Sequence, residues 1–188
     1  MKVIEGRLPG VRLIEPVVHG DHRGFFLESY NRERMVQHGL AMEFVQDNHS
    51  LSVEPGVLRG LHYQLTPKAQ TKLVRVVAGA IFDVVVDIRK GSSTFGQWEG
   101  YELSAENKRQ LLVPQGFAHG FCTLVPNTEV LYKVDELYSS QHDRGIRWDD
   151  PEIGIQWPIQ TPILSDKDKN HPGLLEADNN FVFAKDGI

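Results

Sequence analysis

Short apolar stretches separated by Gly and Pro run along most of this chain. Several alternate apolar and polar positions with the two-residue period of a half-buried strand. The clearest lies over residues 80–89, where Phe82, Val84, Val86 and Ile88 share one face and Ile81, Asp83, Val85, Asp87 and Arg89 the other. Leu73-Val74-Arg75-Val76-Val77 precedes it across Ala78-Gly79, which reads as a tight turn. The same pattern predicts strands over 97–103, 110–113, 118–124 and 129–134. Helical signals are few: Asn31 suits the N-cap of a short helix through His38 that stops at Gly39, and residues 104–108 read as one turn. Many short strands with scant helix predict an all-β sandwich or barrel. Periodicity alone leaves jelly-roll, immunoglobulin-like and lipocalin-like topologies open.

The pattern changes in the last third. Trp148-Asp149-Asp150-Pro151, Trp157-Pro158 and Thr161-Pro162 interrupt regular structure, and Ser165-Asp166-Lys167-Asp168-Lys169 reads as a solvated charged loop. Residues from about 150 to 188 are expected to be loop-rich and packed on the body of a single domain spanning 1–188. A length of 188 residues with 40% hydrophobic positions suits that count and needs no disulfide or metal staple.

Composition narrows the function. A net charge of −5 argues against a nucleic-acid partner. The longest apolar run, Val76 to Phe82, is far too short for a membrane helix, and Met1 to Arg7 lacks the apolar core of a signal peptide. With Cys122 as its one cysteine, the chain is expected in a reducing compartment, the cytoplasm.

Polar residues inside the strand-like stretches carry the chemical signal. Arg59-Gly60-Leu61-His62 sets an arginine and a histidine three apart, with Lys72 further on. Residues three apart on an ideal strand face opposite ways, so Gly60 must break the regularity if both side chains point inward. Val113-Pro114-Gln115-Gly116 is a turn feeding a strand that carries His119. Tyr132 shares a face with Val130 and Val134, and Asp83 with Ile81 and Val85. Each alone reads as a structural residue, a hydrogen-bonded histidine or a core phenol. Their recurrence on separate strands of one small β domain points instead to a catalytic cavity, because buried charge costs several kcal/mol unless paired or bound to ligand. A catalytic metal fits poorly: position 64 is Gln, no further histidine follows closely, and Lys72 would oppose the ion.

Six motifs carry a resemblance: Arg23-Gly24-Phe25-Phe26-Leu27-Glu28, Gln46-Asp47-Asn48-His49-Ser50, Val57 to Gln64, Lys72 to Arg75, Pro114 to Phe121, and Gly145-Ile146-Arg147-Trp148-Asp149-Asp150-Pro151. In that order the chain resembles the dTDP-4-dehydrorhamnose 3,5-epimerase family of the cupin superfamily. The resemblance implies a cupin jelly roll, a homodimer whose N-terminal strand joins the partner's sheet, a dTDP-sugar substrate inverted at C3 and C5, and no metal or organic cofactor. It assigns His62 as proton acceptor, Asp168 as its orienting carboxylate and Tyr132 as proton donor. Lys72, held by Asp83, would face the C4 oxygen. Arg59, His119, Glu28, Gln46, Asp47, Asn48 and Lys167 fall at substrate-contact positions. Arg23, with Phe26 in the same motif, falls where a subunit reaches the nucleotide, and Tyr138 where an aromatic stacks on thymine. Asp143 stands where the family often has Glu, a shorter carboxylate for that contact. A 3-epimerase or 3,4-ketoisomerase of the same substrate class, a metal-dependent cupin oxygenase, and a non-catalytic sugar-nucleotide binder are the competing readings.

Overall fold

A computed structural model of the chain describes residues 1–183, so the last five residues of the expected 1–188 domain lie outside the described part. Its strands are β1 (Lys2–Glu5), β2 (Arg12–Glu15), β3 (Val18–Asp21), β4 (Gly24–Leu27), β5 (Gln46–Ser52), β6 (Leu58–Gln64), β7 (Lys72–Ala78), β8 (Ala80–Asp87), β9 (Trp98–Ser104), β10 (Gln110–Val113), β11 (Phe117–Thr123), β12 (Thr128–Val134) and β13 (Asp143–Gly145). Two short helices, α1 (Arg32–Gln37) and α2 (Asp166–Lys169), complete the elements. A six-stranded sheet in the order β1-β2-β10-β7-β12-β5 faces a five-stranded sheet in the order β13-β6-β11-β8-β9, while β3 and β4 pair only with each other. This is the jelly-roll answer among the topologies the periodicity left open.

The predicted strands appear within a residue of their expected ends, except that β8 stops at Asp87, two residues before the expected limit, and β10 has its expected limits. Helix α1 is capped as expected: the Asn31 side chain accepts from Arg34 N–H, and Gly39 follows with φ +77°. Ser104 to Lys108 closes as a single turn, Lys108 N–H donating to Ser104 O at 3.0 Å. One local reading is corrected. Ala78-Gly79 does not close a hairpin, because β7 and β8 belong to opposite sheets. Gly79, at φ +75°, lets the chain step between them against Thr128, where a Cβ would collide.

Strand parity sorts the core into three layers. Val74, Val76, Val130 and Leu111 from the larger sheet meet Ile81, Val85, Phe117 and Phe121 from the smaller between the sheets. The opposite face of β8, with Val84, Val86 and Ile88, packs under the C-terminal third through Ile146, Ile153, Leu174 and Phe181. The outer face of the larger sheet is covered by α1 through Met35 on Ile14, Leu73 and Leu112. Asp150 anchors the C-terminal cover: its carboxylate accepts from Glu152, Ile153 and Leu174 N–H. The Ser165–Lys169 stretch is likewise not the solvated loop expected from its charges. It forms α2, with Ser165 as N-cap and Asp168 buried.

Candidate active site

Between the two sheets, at the end not filled by the apolar core, lies a cavity of about 410 Å³ lined by Arg59, His62, Lys72, His119, Tyr132, Lys167 and Asp168 among others. Arg59 and His62 reach it together because the ladder between β6 and β11 slips: His62 pairs with His119, whereas Arg59 pairs with Phe121. Three steps along β6 thus match two along β11, and Gly60 absorbs the extra residue with φ +135°. Its α-carbon sits so close to β11 that a Cβ would lie 2.5 Å from Gly120 Cα. Gly116, at φ +84°, starts β11 so that His119 faces inward.

His62 Nε2 lies 2.5 Å from Asp168 Oδ1, and Ser165 Oγ donates to the other carboxylate oxygen at 2.8 Å. Burial pushes the Asp168 carboxyl up, but the hydrogen bonds and charge of its histidine and serine partners outweigh it and hold the group below the usual carboxylate range. With Nε2 turned to the carboxylate, Nδ1 is the ring nitrogen left for other partners. Tyr132 enters from β12, on the opposite sheet, and burial pushes its phenol up, so it stays protonated at neutral pH. Lys72 is buried and its Nζ donates to His62 O at 3.4 Å. Burial lowers it to about 8, against the opposing pull of Asp83 and Asp143.

The expectation that Asp83 holds Lys72 directly is corrected here. The hydrogen-bond partner of Asp83 is His119, at 2.6 Å, because the two are diagonal neighbours on one face of β8 and β11, where His119 pairs with Val85 and Asp83 with Phe121. Asp83 acts on Lys72 through charge alone. Burial holds His119 neutral in spite of that carboxylate.

Around the mouth, Tyr138 Oη donates to Asp143 at 3.1 Å, Lys167 pairs with the same carboxylate, and Tyr138 N–H donates to Gln46 Oε1. Gln46 in turn donates to Asn48. Gln46, Asn48, Tyr138 and Asp143 thus lie beside the cavity lining rather than in it, and Asp47, Arg23, Phe26 and Glu28 are directed elsewhere. Asp47 lies on the outer face of β5, where Lys133 pairs with it at 2.9 Å, because parity separates it from Gln46 and Asn48. Arg23, Phe26 and Glu28 lie on or beside the β3–β4 hairpin: Arg23 pairs with Asp21, Glu28 with Arg34, and Phe26 is 70% exposed. That hairpin joins neither main sheet.

Sequence reasoning missed Ser50, Phe121 and His171. Ser50 and Phe121 line the cavity and share strand faces with Asn48 and His119, so parity would have found them. His171 follows Asp168 by one helical turn and lies beside it.

A histidine–aspartate pair facing a buried phenol across one jelly-roll cavity, with a buried lysine in the same lining, fits the cupin-type isomerases. The family model described as dTDP-4-dehydrorhamnose 3,5-epimerase matches residues 5–176. A Shigella flexneri protein of that name is 57% identical over 179 residues, covering 95% of this chain and 98% of its own. The Bacillus anthracis enzyme, solved with TDP and pyrophosphate bound, superposes with a TM-score of 0.90 at 60% identity, covering 92% of this chain and 98% of that one. A Legionella pneumophila epimerase in complex with dTDP-4-keto-L-rhamnose has a TM-score of 0.90 at 46% identity, each chain covered to 94%. The chain belongs to the dTDP-4-dehydrorhamnose 3,5-epimerase family.

Proposed function

We propose that this chain converts dTDP-4-dehydro-6-deoxy-D-glucose to dTDP-4-dehydro-L-rhamnose by inverting C3 and C5. The observation that carries this reading is the placement of His62 and Tyr132 on opposing walls of one cavity, with Lys72 in the same lining on the Tyr132 side. His62 Nδ1 takes the proton from a carbon next to the C4 ketone, and the electron pair moves onto the C4 oxygen as an enolate. Asp168 stabilises the resulting imidazolium and keeps its ring oriented. The buried Lys72 ammonium stabilises the enolate oxygen. Tyr132 then delivers a proton to the opposite face of the same carbon, so the configuration inverts. Reprotonation of the phenolate and deprotonation of the imidazolium through solvent close the cycle, which repeats at the second carbon. The chemistry consumes no reductant and no cofactor.

Arg59, at the mouth, suits the pyrophosphate because its planar fork meets two oxygens at once. Tyr138, 59% exposed, offers a flat face to the thymine. The exposed β3–β4 hairpin carries Arg23, Phe26 and Glu28 away from this chain's cavity, and we assign them to the cavity of a second copy in a homodimer. Among the described residues no helix is long and apolar enough to cross a membrane, and a cytoplasmic sugar-nucleotide enzyme fits the single buried Cys122.

Proton NMR in deuterated water with dTDP-4-dehydro-6-deoxyglucose tests the activity. Deuterium is expected at both C3 and C5; exchange at C3 alone would establish a 3-epimerase instead, and a ketone migrating to C3 a 3,4-ketoisomerase. Turnover that persists after chelation would eliminate the metal-dependent oxygenase.

A further inference from the structure

His171 takes no part in that reaction, yet it is built into the base. Its Nε2 is buried with no hydrogen-bond partner among the described residues and lies 3.5 Å from Asp168 Oδ1, the same oxygen that His62 Nε2 approaches. The two imidazoles cross edge to face with centroids 5.6 Å apart. Gly145 clears the slot, since a Cβ there would strike the His171 ring. Two nitrogens therefore converge on one carboxylate oxygen.

We propose that His62, Asp168 and His171 form a reversible inhibitory site for zinc or a similar transition-metal dication. Their donor atoms lie within 4.8 Å of one another. Imidazole nitrogen and carboxylate oxygen bind zinc at about 2.0–2.2 Å, which sets donors on a shared tetrahedral ion roughly 3.4 Å apart. The His171–Asp168 pair already has that spacing at 3.5 Å, and the His62–Asp168 pair needs to open from 2.5 Å by less than about 1 Å. Ser165 holds the outer carboxylate oxygen, the kind of supporting contact that fixes a metal ligand. His62 and Asp168 both line the cavity, which gives a dissolved ion a route to the donors. The opposing cations are compensated: Lys167 is paired with Asp143, and Asp83 and Asp143 both act on Lys72.

The inhibitory consequence rests on the epimerase reading. A metal on Nε2 takes that lone pair and shifts the ring proton to Nδ1, the atom that must accept the sugar's proton. The neutral ring releases no proton and nothing is oxidised; the base is held in its wrong tautomer.

The test titrates the metal-free, full-length chain with zinc chloride calorimetrically, without substrate, in the wild type and in His171→Gln. One zinc per wild-type chain is expected at this site, bound at least about tenfold more weakly by the variant. Equal binding by the two proteins overturns the proposal. Independently of any variant, cobalt(II) added to the wild type should give the visible bands of a tetrahedral ion, and their absence also overturns it. Saturating zinc should lower wild-type turnover at least about tenfold, with recovery on EDTA; undiminished turnover refutes the inhibitory role. A chain that binds zinc in this manner but never exchanges substrate protons would refute the epimerase reading and leave the metal site standing.

Discussion

At the residue scale, the proposed reaction divides the chemistry among three side chains, and each predicts a different failure. His62→Asn removes the base but leaves the nucleotide contacts of Arg59 and Tyr138, so solvent exchange at C3 and C5 should vanish while dTDP affinity stays within about threefold. Calorimetric titration with dTDP alongside the exchange assay checks this; equal loss of both would make His62 structural. Tyr132→Phe keeps the base, so deuterium exchange should persist with epimerisation down roughly 10²–10⁴-fold, the usual worth of a positioned acid. Full epimerisation by that variant would exclude the phenol as donor. In the proposed reaction Lys72 sets the alkaline side of the pH profile. Burial lowers it to about 8, so the ammonium is present below that pH and lost above it. Stabilisation of the enolate oxygen disappears with it, and kcat/KM should fall as pH rises through 8. Tyr132 is pushed up rather than down and stays protonated there. A profile flat from pH 8 to 10 would exclude Lys72 from the transition state.

At the element scale, β6 is the strand on which the site depends. Alternation alone puts Arg59 and His62 on opposite faces, and the slipped register at Gly60 reunites them. Gly60→Ala places a methyl 2.5 Å from Gly120 Cα at φ +135°, which an L side chain rarely adopts. Destabilisation of roughly 2–3 kcal/mol in urea unfolding is expected, with a larger proportional loss of turnover at full folding as one of the two side chains rotates outward. A variant as stable and active as the wild type would mean that the bulge is incidental. This irregularity was legible as a conflict: two functional residue types at a spacing that ordinary pleating forbids, with a glycine between them. The short helix α2 was not legible. Its sequence, Asp-Lys-Asp-Lys, looks like solvated charge, and only its capping by Ser165 against β6 turns Asp168 inward.

At the scale of the whole molecule, the β3–β4 hairpin is the feature that a single chain leaves unexplained. Phe25 and Phe26 are 63% and 70% exposed on a pair of strands that joins neither sheet. Exposed aromatic patches of this kind mark interfaces. Sedimentation equilibrium should find a species of twice the 21.3 kDa chain mass. Phe26→Ser should raise the dimer dissociation constant at least about tenfold and lower turnover in step with the monomer fraction. A wild type that sediments as a monomer at full activity would remove the hairpin from the site.

The alternation of residues 80–89 determined a strand and suggested that one of its faces is buried; burial of both faces was decided by the C-terminal third, which covers the second face through Ile146, Ile153, Leu174 and Phe181. The linear chain likewise determined the helix cap at Asn31 and the residue types of the site, since these depend on neighbours within a few positions. What tertiary structure alone decided was partnership. Asp83 takes His119 rather than Lys72, Asp47 turns outward to Lys133, and Asp168 meets His62 from 106 residues away. Such pairings follow from sheet register and from which segment covers which face. They are contacts between distant stretches, on which local periodicity carries no information.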